Sequence, residues 1–151
     1  MSKTLATEID IAAPPQRVWQ VLSDLTAYAE WNPFIVQATG RAVVGDRLTL
    51  RMQPASGKER VLRPTVTEVR AGETLRWVGH LRVRGLMDVE HSFLLEPVRG
   101  GGTRLVQRED FRGVLVPLVA RTLERGTLPA FARMNEALKR RAEKSVSSQR
   151  G

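Results

Sequence analysis

The segment from Met87 to Phe111 restricts the possible folds of this chain more than any other part of its sequence. Its two halves, MDVEHSFLLEP and TRLVQREDF, alternate apolar and polar residues with the period of a β-strand. The intervening VRGGGT carries the glycines that hairpin turns use. The sequence therefore predicts two antiparallel strands joined by a short turn, each with one face towards a core.

Ionisable side chains lie on the apolar faces of both predicted strands. The first face carries Met87, Val89, His91, Phe93 and Leu95, and the second carries Leu105, Gln107, Glu109 and Phe111. A buried carboxylate without a partner costs free energy, so we expect His91 and Glu109 to meet. Such a pair could act as general acid and base near neutral pH, or form a polar contact that fixes a wall or orients a ligand. A register shifted by one residue would instead place one of the two in solvent.

The rest of the chain predicts an α+β order of elements, with antiparallel strands because the turns between them are short. The first strand is expected over Lys3–Ala13, a helix over Pro15–Leu25 and a short helical turn over Ala27–Trp31. Further strands are predicted in FIVQATG, DRLTLRMQP, ERVLRPTVTEVR and ETLRWVGHL, the third with a bend or an edge position near Pro64.

A long helix is predicted from Pro117 to Glu143. Pro129 lies inside its pattern, so we expect a kink or break between Gly126 and Pro129. Residues 1–143 then form one domain, and residues 144–151 a polar, disordered tail. Polar residues near the apolar stripe of this helix either orient the polar end of a ligand or belong to a solvated face: Thr122, Arg125, Arg133 and Asn135.

Composition excludes several classes of protein. The chain has no cysteine and two histidines, which argues against disulfides, thiolate chemistry and a multi-histidine metal site, and no cofactor is predicted. The net charge of +8 comes mostly from scattered arginines, which favours a solvated surface over a nucleic-acid partner. The longest apolar stretches are too short for a transmembrane segment, and the first residues lack the apolar region of an export signal. A cytoplasmic location is therefore expected.

Three segments resemble the SRPBCC superfamily, also called START, Bet v 1-like or helix-grip, and within it the polyketide cyclase/dehydrase-like branch. They are IDIAAPPQRVWQVLSDLTAYAEWNPF (Ile9–Phe34), TVTEVRAGETLRWVGHL (Thr65–Leu81) and DVEHSFLLEPVRGGGTRLVQREDFRGVL (Asp88–Leu115). Together with the final helix, the resemblance covers nearly the whole chain. It implies a curved antiparallel sheet of about six to seven strands wrapped around the C-terminal helix, with two short helices after the first strand.

The resemblance also implies an internal cavity between the sheet and the last helix. Members of the superfamily bind lipids, sterols, hormones or polyketides, and a minority are cyclases, dehydratases or hydroxylase components. The expected function is therefore binding of a hydrophobic or amphipathic small molecule by a monomer or homodimer. The alternative is a cyclase or dehydratase with His91 and Glu109 as its acid/base pair, and a weaker one is an interaction module with a basic surface.

The predicted ligand-binding residues combine the apolar strand faces with the polar pair and the cavity rim. The alternative interpretation is that many of them simply pack a filled core. They are Trp31, Pro33, Leu48, Leu50, Met52, Trp77, His91, Phe93, Gln107, Glu109, Phe111 and Thr122.

Overall fold

The structure is a computed structural model that describes the backbone of residues 2–150 and the side chains of residues 2–144. It has the predicted α+β architecture, with two short helical segments after the first strand and a long helix at the end. The strands are β1 (Ser2–Ile11), β2 (Ile35–Thr39), β3 (Thr49–Met52), β4 (Arg60–Leu62), β5 (Thr65–Arg70), β6 (Thr74–His80), β7 (Asp88–Pro97) and β8 (Thr103–Arg112). The helices are α1 (Pro15–Ser23), a 3₁₀ helix (Leu25–Glu30) and α2 (Val116–Arg150).

The large sheet is antiparallel and has five strands in the order β1-β8-β7-β6-β5. Its centre is the predicted hairpin, whose register places His91 directly opposite Glu109. On either side of that pair, Trp77 of β6 lies opposite His91, and Leu5 of β1 lies opposite Glu109. The register therefore turns both ionisable side chains into the interior.

A second sheet of three strands, in the order β2-β3-β4, differs from the single sheet that was predicted. The stretch ERVLRPTVTEVR, expected as one long strand, divides at Pro64 into β4 and β5, which belong to different sheets. Proline has no N–H to donate to a strand ladder, so the chain changes partners there. The carbonyl of Pro64 accepts a hydrogen bond from the backbone N–H of Leu48, which ties the two sheets together.

Helix α2 continues through Pro129, so the predicted break is not observed. The residues that follow this proline, Ala130, Phe131 and Met134, are buried in the main core. That packing stabilises the helix across a residue whose intrinsic preference would end it. The predicted polar tail over 144–151 falls on residues whose side chains, beyond 144, lie outside the described part of the chain, and it stays a prediction.

Apolar side chains form two clusters inside the molecule. The larger one joins α1, the 3₁₀ helix, both sheets and α2, and includes Leu48, Leu50 and Trp77. The smaller one lies between the start of α2 and one end of the large sheet. It consists of Leu5, Met87, Val89, Phe111, Val116 and Leu123. A cavity opens beside this smaller cluster.

Candidate functional site

A cavity of about 380 Å³ lies between β3, β4, β7, β8 and the first half of α2. Its wall is mostly apolar, with side chains from Phe34, Met52, Met87, Val89, Phe111 and Leu123. Cavities of this volume are within the range that small-molecule sites occupy. Several lining residues are exposed to solvent and mark its mouth: Ser56, Arg60, Val61, Leu81 and Thr122.

Glu109 supplies a carboxylate to this apolar wall. The side chain is buried, and its Oε2 accepts a hydrogen bond from His91 Nδ1 at 2.9 Å. This bond uses one carboxylate oxygen and leaves Oε1 available to a donor on a ligand. A buried carboxylate is stable only with hydrogen-bond partners. His91, opposite Glu109 on the neighbouring strand, is the partner that allows this carboxylate to be buried.

His91 lies behind Glu109 and does not itself line the cavity. Three aromatic rings enclose its imidazole. Trp77 stacks on it with ring centroids 5.2 Å apart, Phe93 lies tilted at 4.6 Å, and Phe131 of α2 presents an edge at 5.3 Å. The ring therefore cannot turn away from Glu109 without disturbing the main core. Its role in the structure is to hold and partner the carboxylate.

The other imidazole nitrogen, Nε2, starts a chain of buried polar contacts. It lies 3.0 Å from Oε1 of Gln107, whose Nε2 donates to Oδ1 of Asn135 at 2.7 Å. Asn135 Nδ2 in turn donates to Oγ1 of Thr7 at 2.9 Å. The chain crosses from β7 through β8 to α2 and ends on β1, so it joins four elements around the site.

The orientation of the Gln107 amide is linked to the charge of His91. With the amide oxygen towards the ring, both imidazole nitrogens donate, and His91 is a cation paired with the Glu109 carboxylate. With the amide turned round, Nε2 accepts and His91 is neutral. In the second arrangement Asn135 turns as well, so that its amide donates to Gln107 and its oxygen accepts from the Thr7 hydroxyl.

Four of the sequence-predicted residues line the cavity: Met52, Glu109, Phe111 and Thr122. Leu48, Leu50, Trp77 and Phe93 are fully buried in the main core, and His91 and Gln107 form the layer behind Glu109. Strand alternation identifies the interior face, but it does not distinguish a core position from a cavity wall. That distinction depends on what lies across from each side chain.

Trp31 and Pro33 lie away from this cavity. Pro33 is exposed, and Trp31 borders a smaller and more polar depression of about 130 Å³ with Arg17 and Arg141. The backbone N–H of Trp31 donates to the carbonyl of Tyr28, and the two rings pack edge to face at 5.1 Å. Their observed contacts are those of a packed helix end.

Thr7 was not singled out from the sequence, and neither was the role of Asn135 as a link to Gln107. Thr7 lies opposite Gln107 in the β1–β8 pairing, which only the sheet topology reveals. Asn135 does carry a sequence signal, because it is a polar residue within the buried stripe of α2. Buried polar residues in such a stripe need a partner, and here the partners come from two distant strands.

Within the part of the chain that the structure describes, no three His, Cys, Asp or Glu side chains are grouped so that they could hold a metal ion. Across the same residues, no helix combines the length and apolar character needed to cross a membrane.

Comparison with known proteins gives one family that matches over residues 2–143, described as polyketide cyclase / dehydrase and lipid transport. The chain belongs to this family. The match includes every residue of the cavity wall and of the polar chain behind Glu109. No curated protein matches the chain.

Solved structures share this fold over almost the whole chain. The Zhui aromatase/cyclase from Streptomyces sp. R1128 superposes with a TM-score of 0.79 at 20% identity, covering 97% of this chain and 96% of that one. A START superfamily protein from Mycobacterium smegmatis gives a TM-score of 0.71 at 21% identity, covering 94% and 98%. Protein MLL2253 from Mesorhizobium loti gives 0.73 at 22% identity, covering 95% and 98%. At such identities the likeness establishes the helix-grip fold.

Proposed function

We propose that the protein binds an amphipathic small molecule in the cavity, with a hydrogen-bond-donating end of that molecule at Glu109. The observation that carries this proposal is a buried carboxylate, held by His91, in the wall of a mostly apolar cavity of about 380 Å³. The family description, which names polyketide chemistry and lipid transport, supports a ligand of this kind.

The apolar wall and the carboxylate of Glu109 place different requirements on a ligand. An apolar ligand body that covers the wall would gain ~25 cal/mol for each Å² removed from water. Covering Glu109 with that body would also remove water from its free oxygen, which costs free energy unless the ligand donates a hydrogen bond. A phenol or alcohol meets both requirements, whereas a carboxylic acid would bring a second negative charge towards the first.

A matched series of probes tests this preference: a naphthol, its methyl ether and the corresponding naphthoate. The three share one apolar body and differ in the group that would face Glu109. We expect the naphthol to bind about tenfold more tightly than the ether, because a hydrogen bond to a charged group contributes ~1.5–3 kcal/mol. The naphthoate should bind most weakly. Isothermal titration calorimetry measures all three.

Glu109→Gln provides the complementary variant. It keeps the size of the side chain but removes its charge, so the preference for naphthol over ether should shrink and the naphthoate should gain affinity. Glu96→Gln is the matched control, since Glu96 is exposed near the far end of β7. Equal affinities of wild type for all three probes would contradict the proposal, as would a Glu109→Gln protein that discriminates like wild type.

One feature also favours a second function, a cyclase or dehydratase. Glu109 touches the cavity, while His91 behind it can stabilise the charge or take up a proton through their hydrogen bond. Glu109 would then be the catalytic residue that removes a proton from a substrate, with His91 as its positioning residue. In an assay of a polyketide-like substrate, Glu109→Gln should abolish turnover, whereas unchanged turnover would exclude this mechanism.

A further inference from the structure

Large apolar side chains are exposed around the mouth of the cavity. Val61 and Leu81, which line it, are 51% and 42% exposed. Beyond them, Val83, Val114 and Leu118 are 62%, 71% and 80% exposed. Soluble domains rarely group such residues without an interaction to cover them.

These side chains come from neighbouring segments. The backbone N–H of Val114 donates to the carbonyl of Gly85 at 3.1 Å, and that of Leu115 donates to the carbonyl of Leu86 at 3.1 Å. The loop between β6 and β7 is thereby fixed against the loop between β8 and α2. Leu118 follows in the first turn of α2, one turn before Thr122 in the cavity wall.

Arginines accompany the apolar side chains. Arg60 lines the cavity mouth, Arg82 precedes Val83, and Arg121 and Arg125 are exposed near Leu118 on α2. None of the four takes part in an ion pair with the side chains of residues 2–144. We call the five apolar residues and these four arginines the mouth surface.

We propose that the mouth surface docks onto an anionic lipid bilayer. Apolar side chains on two loops and a helix end can enter the boundary between headgroups and acyl chains, while the arginines bind lipid phosphates. A second copy of the chain fits less well, because a symmetric contact would bring the same arginines together. Docking on a bilayer goes beyond ligand binding. It would turn the cavity mouth towards the bilayer interior, in which an apolar ligand dissolves.

Vesicle flotation tests the proposal with phosphatidylcholine vesicles that contain or lack phosphatidylglycerol. Wild type should float with the anionic vesicles, and added salt should weaken binding because it screens the arginines. Val83→Ser combined with Leu118→Ser should weaken binding about tenfold, since a loss of ~1.4 kcal/mol of apolar transfer corresponds to that factor. Arg82→Gln combined with Arg121→Gln should weaken it about thirtyfold, because ~1 kcal/mol per arginine gives ~2 kcal/mol for the pair.

The control variant pairs Leu94→Ser with Arg99→Gln. Leu94 is 40% exposed on β7, and Arg99 is exposed in the β7–β8 turn at the opposite end of these strands from the mouth. This variant should bind vesicles like wild type. None of the substituted residues lines the cavity, so naphthol affinity should be unchanged in every variant, and failure of vesicle binding can be distinguished from failure of ligand binding.

Three results would overturn the proposal. One is an absence of flotation with anionic vesicles at low salt. Another is equal weakening by the control and the mouth-surface variants. The third is a concentration-dependent dimer in analytical ultracentrifugation that Val83→Ser with Leu118→Ser disrupts, because the mouth surface would then be an interface between copies. Circular dichroism confirms that each variant is folded before it is compared.

Discussion

His91 and Glu109 are a hydrogen-bonded pair in which each residue depends on the other. Both are buried, and their contact of 2.9 Å is enclosed by Trp77, Phe93 and Phe131 on the side of the histidine. Removing the imidazole leaves a carboxylate in an apolar wall without its partner, whereas removing both leaves no ionisable group there, and only Gln107 Oε1 loses a hydrogen-bond partner. These two changes should therefore have very different consequences.

We expect His91→Leu to lower the free energy of unfolding by ~3–5 kcal/mol at neutral pH, as the loss of one partner of a buried pair does. The double variant His91→Leu with Glu109→Leu should recover much of that loss. Urea denaturation of the two single variants and the double variant completes the cycle. A double variant whose loss equals the sum of the single losses would show that the two side chains are not coupled.

Asn135 should contribute to the free energy of unfolding through its hydrogen bonds in the polar chain rather than through the volume that its side chain fills. Asn135→Ala leaves Nε2 of Gln107 without the acceptor that lies 2.7 Å away, and it removes the donor to Thr7. An unsatisfied buried group of this kind costs ~1–3 kcal/mol. Chemical denaturation should show a loss in this range, and Arg133→Ala, at an exposed position of the same helix, should show almost none.

Among the elements, helix α2 combines a packed face that stabilises it with two residues that weaken helices, Gly126 and Pro129. Gly126 is buried in the cavity wall, and a Cβ added there would meet Pro54 Cβ and the carbonyl oxygen of Ser56 at 3.5 Å, an ordinary van der Waals distance. Its φ is not in the left-handed region, so alanine is compatible with the backbone. The glycine is therefore a site where stability can be gained.

Gly126→Ala should raise the free energy of unfolding by ~0.5–1 kcal/mol, because alanine loses less backbone entropy in a helix than glycine does. A thermal melt followed by circular dichroism at the α-helix band measures the change. A lower melting temperature would indicate that the wall at Pro54 cannot accommodate the added methyl group, contrary to the distances given above.

Glu143 in the last third of α2 binds the backbone just after β1. Its Oε1 accepts hydrogen bonds from Lys139 Nζ at 2.6 Å and from the backbone N–H of Ala12 at 2.8 Å. The bond from Lys139 is the main cause that lowers the pKa of Glu143 below its ordinary value of 4.5, with burial acting in the opposite direction. The contact thus stabilises the fold only while the carboxylate is charged.

Because the folded-state pKa of Glu143 is the lower one, its contribution is fully present above about pH 4.5 and is lost as the pH falls through the folded value. Glu143→Gln should therefore destabilise the protein slightly at neutral pH, by less than ~1 kcal/mol for a partly exposed pair. The difference from wild type should vanish in acid. Denaturation at several pH values measures it, with Glu136→Gln, exposed on the same helix, as the control.

The sequence predicts an element well when the residues that determine the element are neighbours in the chain. The β7–β8 hairpin follows from alternation and from the glycines at 100–102, whereas the register that places His91 opposite Glu109 was one of the alternatives that the sequence left open. The division at Pro64 between two sheets was predicted only as a bend or an edge position, since a missing donor shows where a ladder stops but not which strands pair next.

At the scale of the whole molecule, the polar network shows why a site is harder to predict than a fold. Thr7 and Asn135 are 128 positions apart in the chain and meet because α2 packs directly against β1, the edge strand beside β8. Leu50 and Met52 share one strand face, yet Leu50 is in the core and Met52 lines the cavity. The void depends on the packing of several elements together, which no local pattern encodes.

A crystal structure of the complex with the naphthol probe would show whether Glu109 receives a hydrogen bond from a ligand in the cavity. We expect density for the probe inside the cavity, with its hydroxyl oxygen within hydrogen-bonding distance of Glu109 Oε1, about 2.5–3.0 Å. The ring should contact Phe111 and Leu123 in the apolar wall. A cavity filled by side chains, or a probe bound elsewhere with Glu109 still covered, would contradict ligand binding at Glu109.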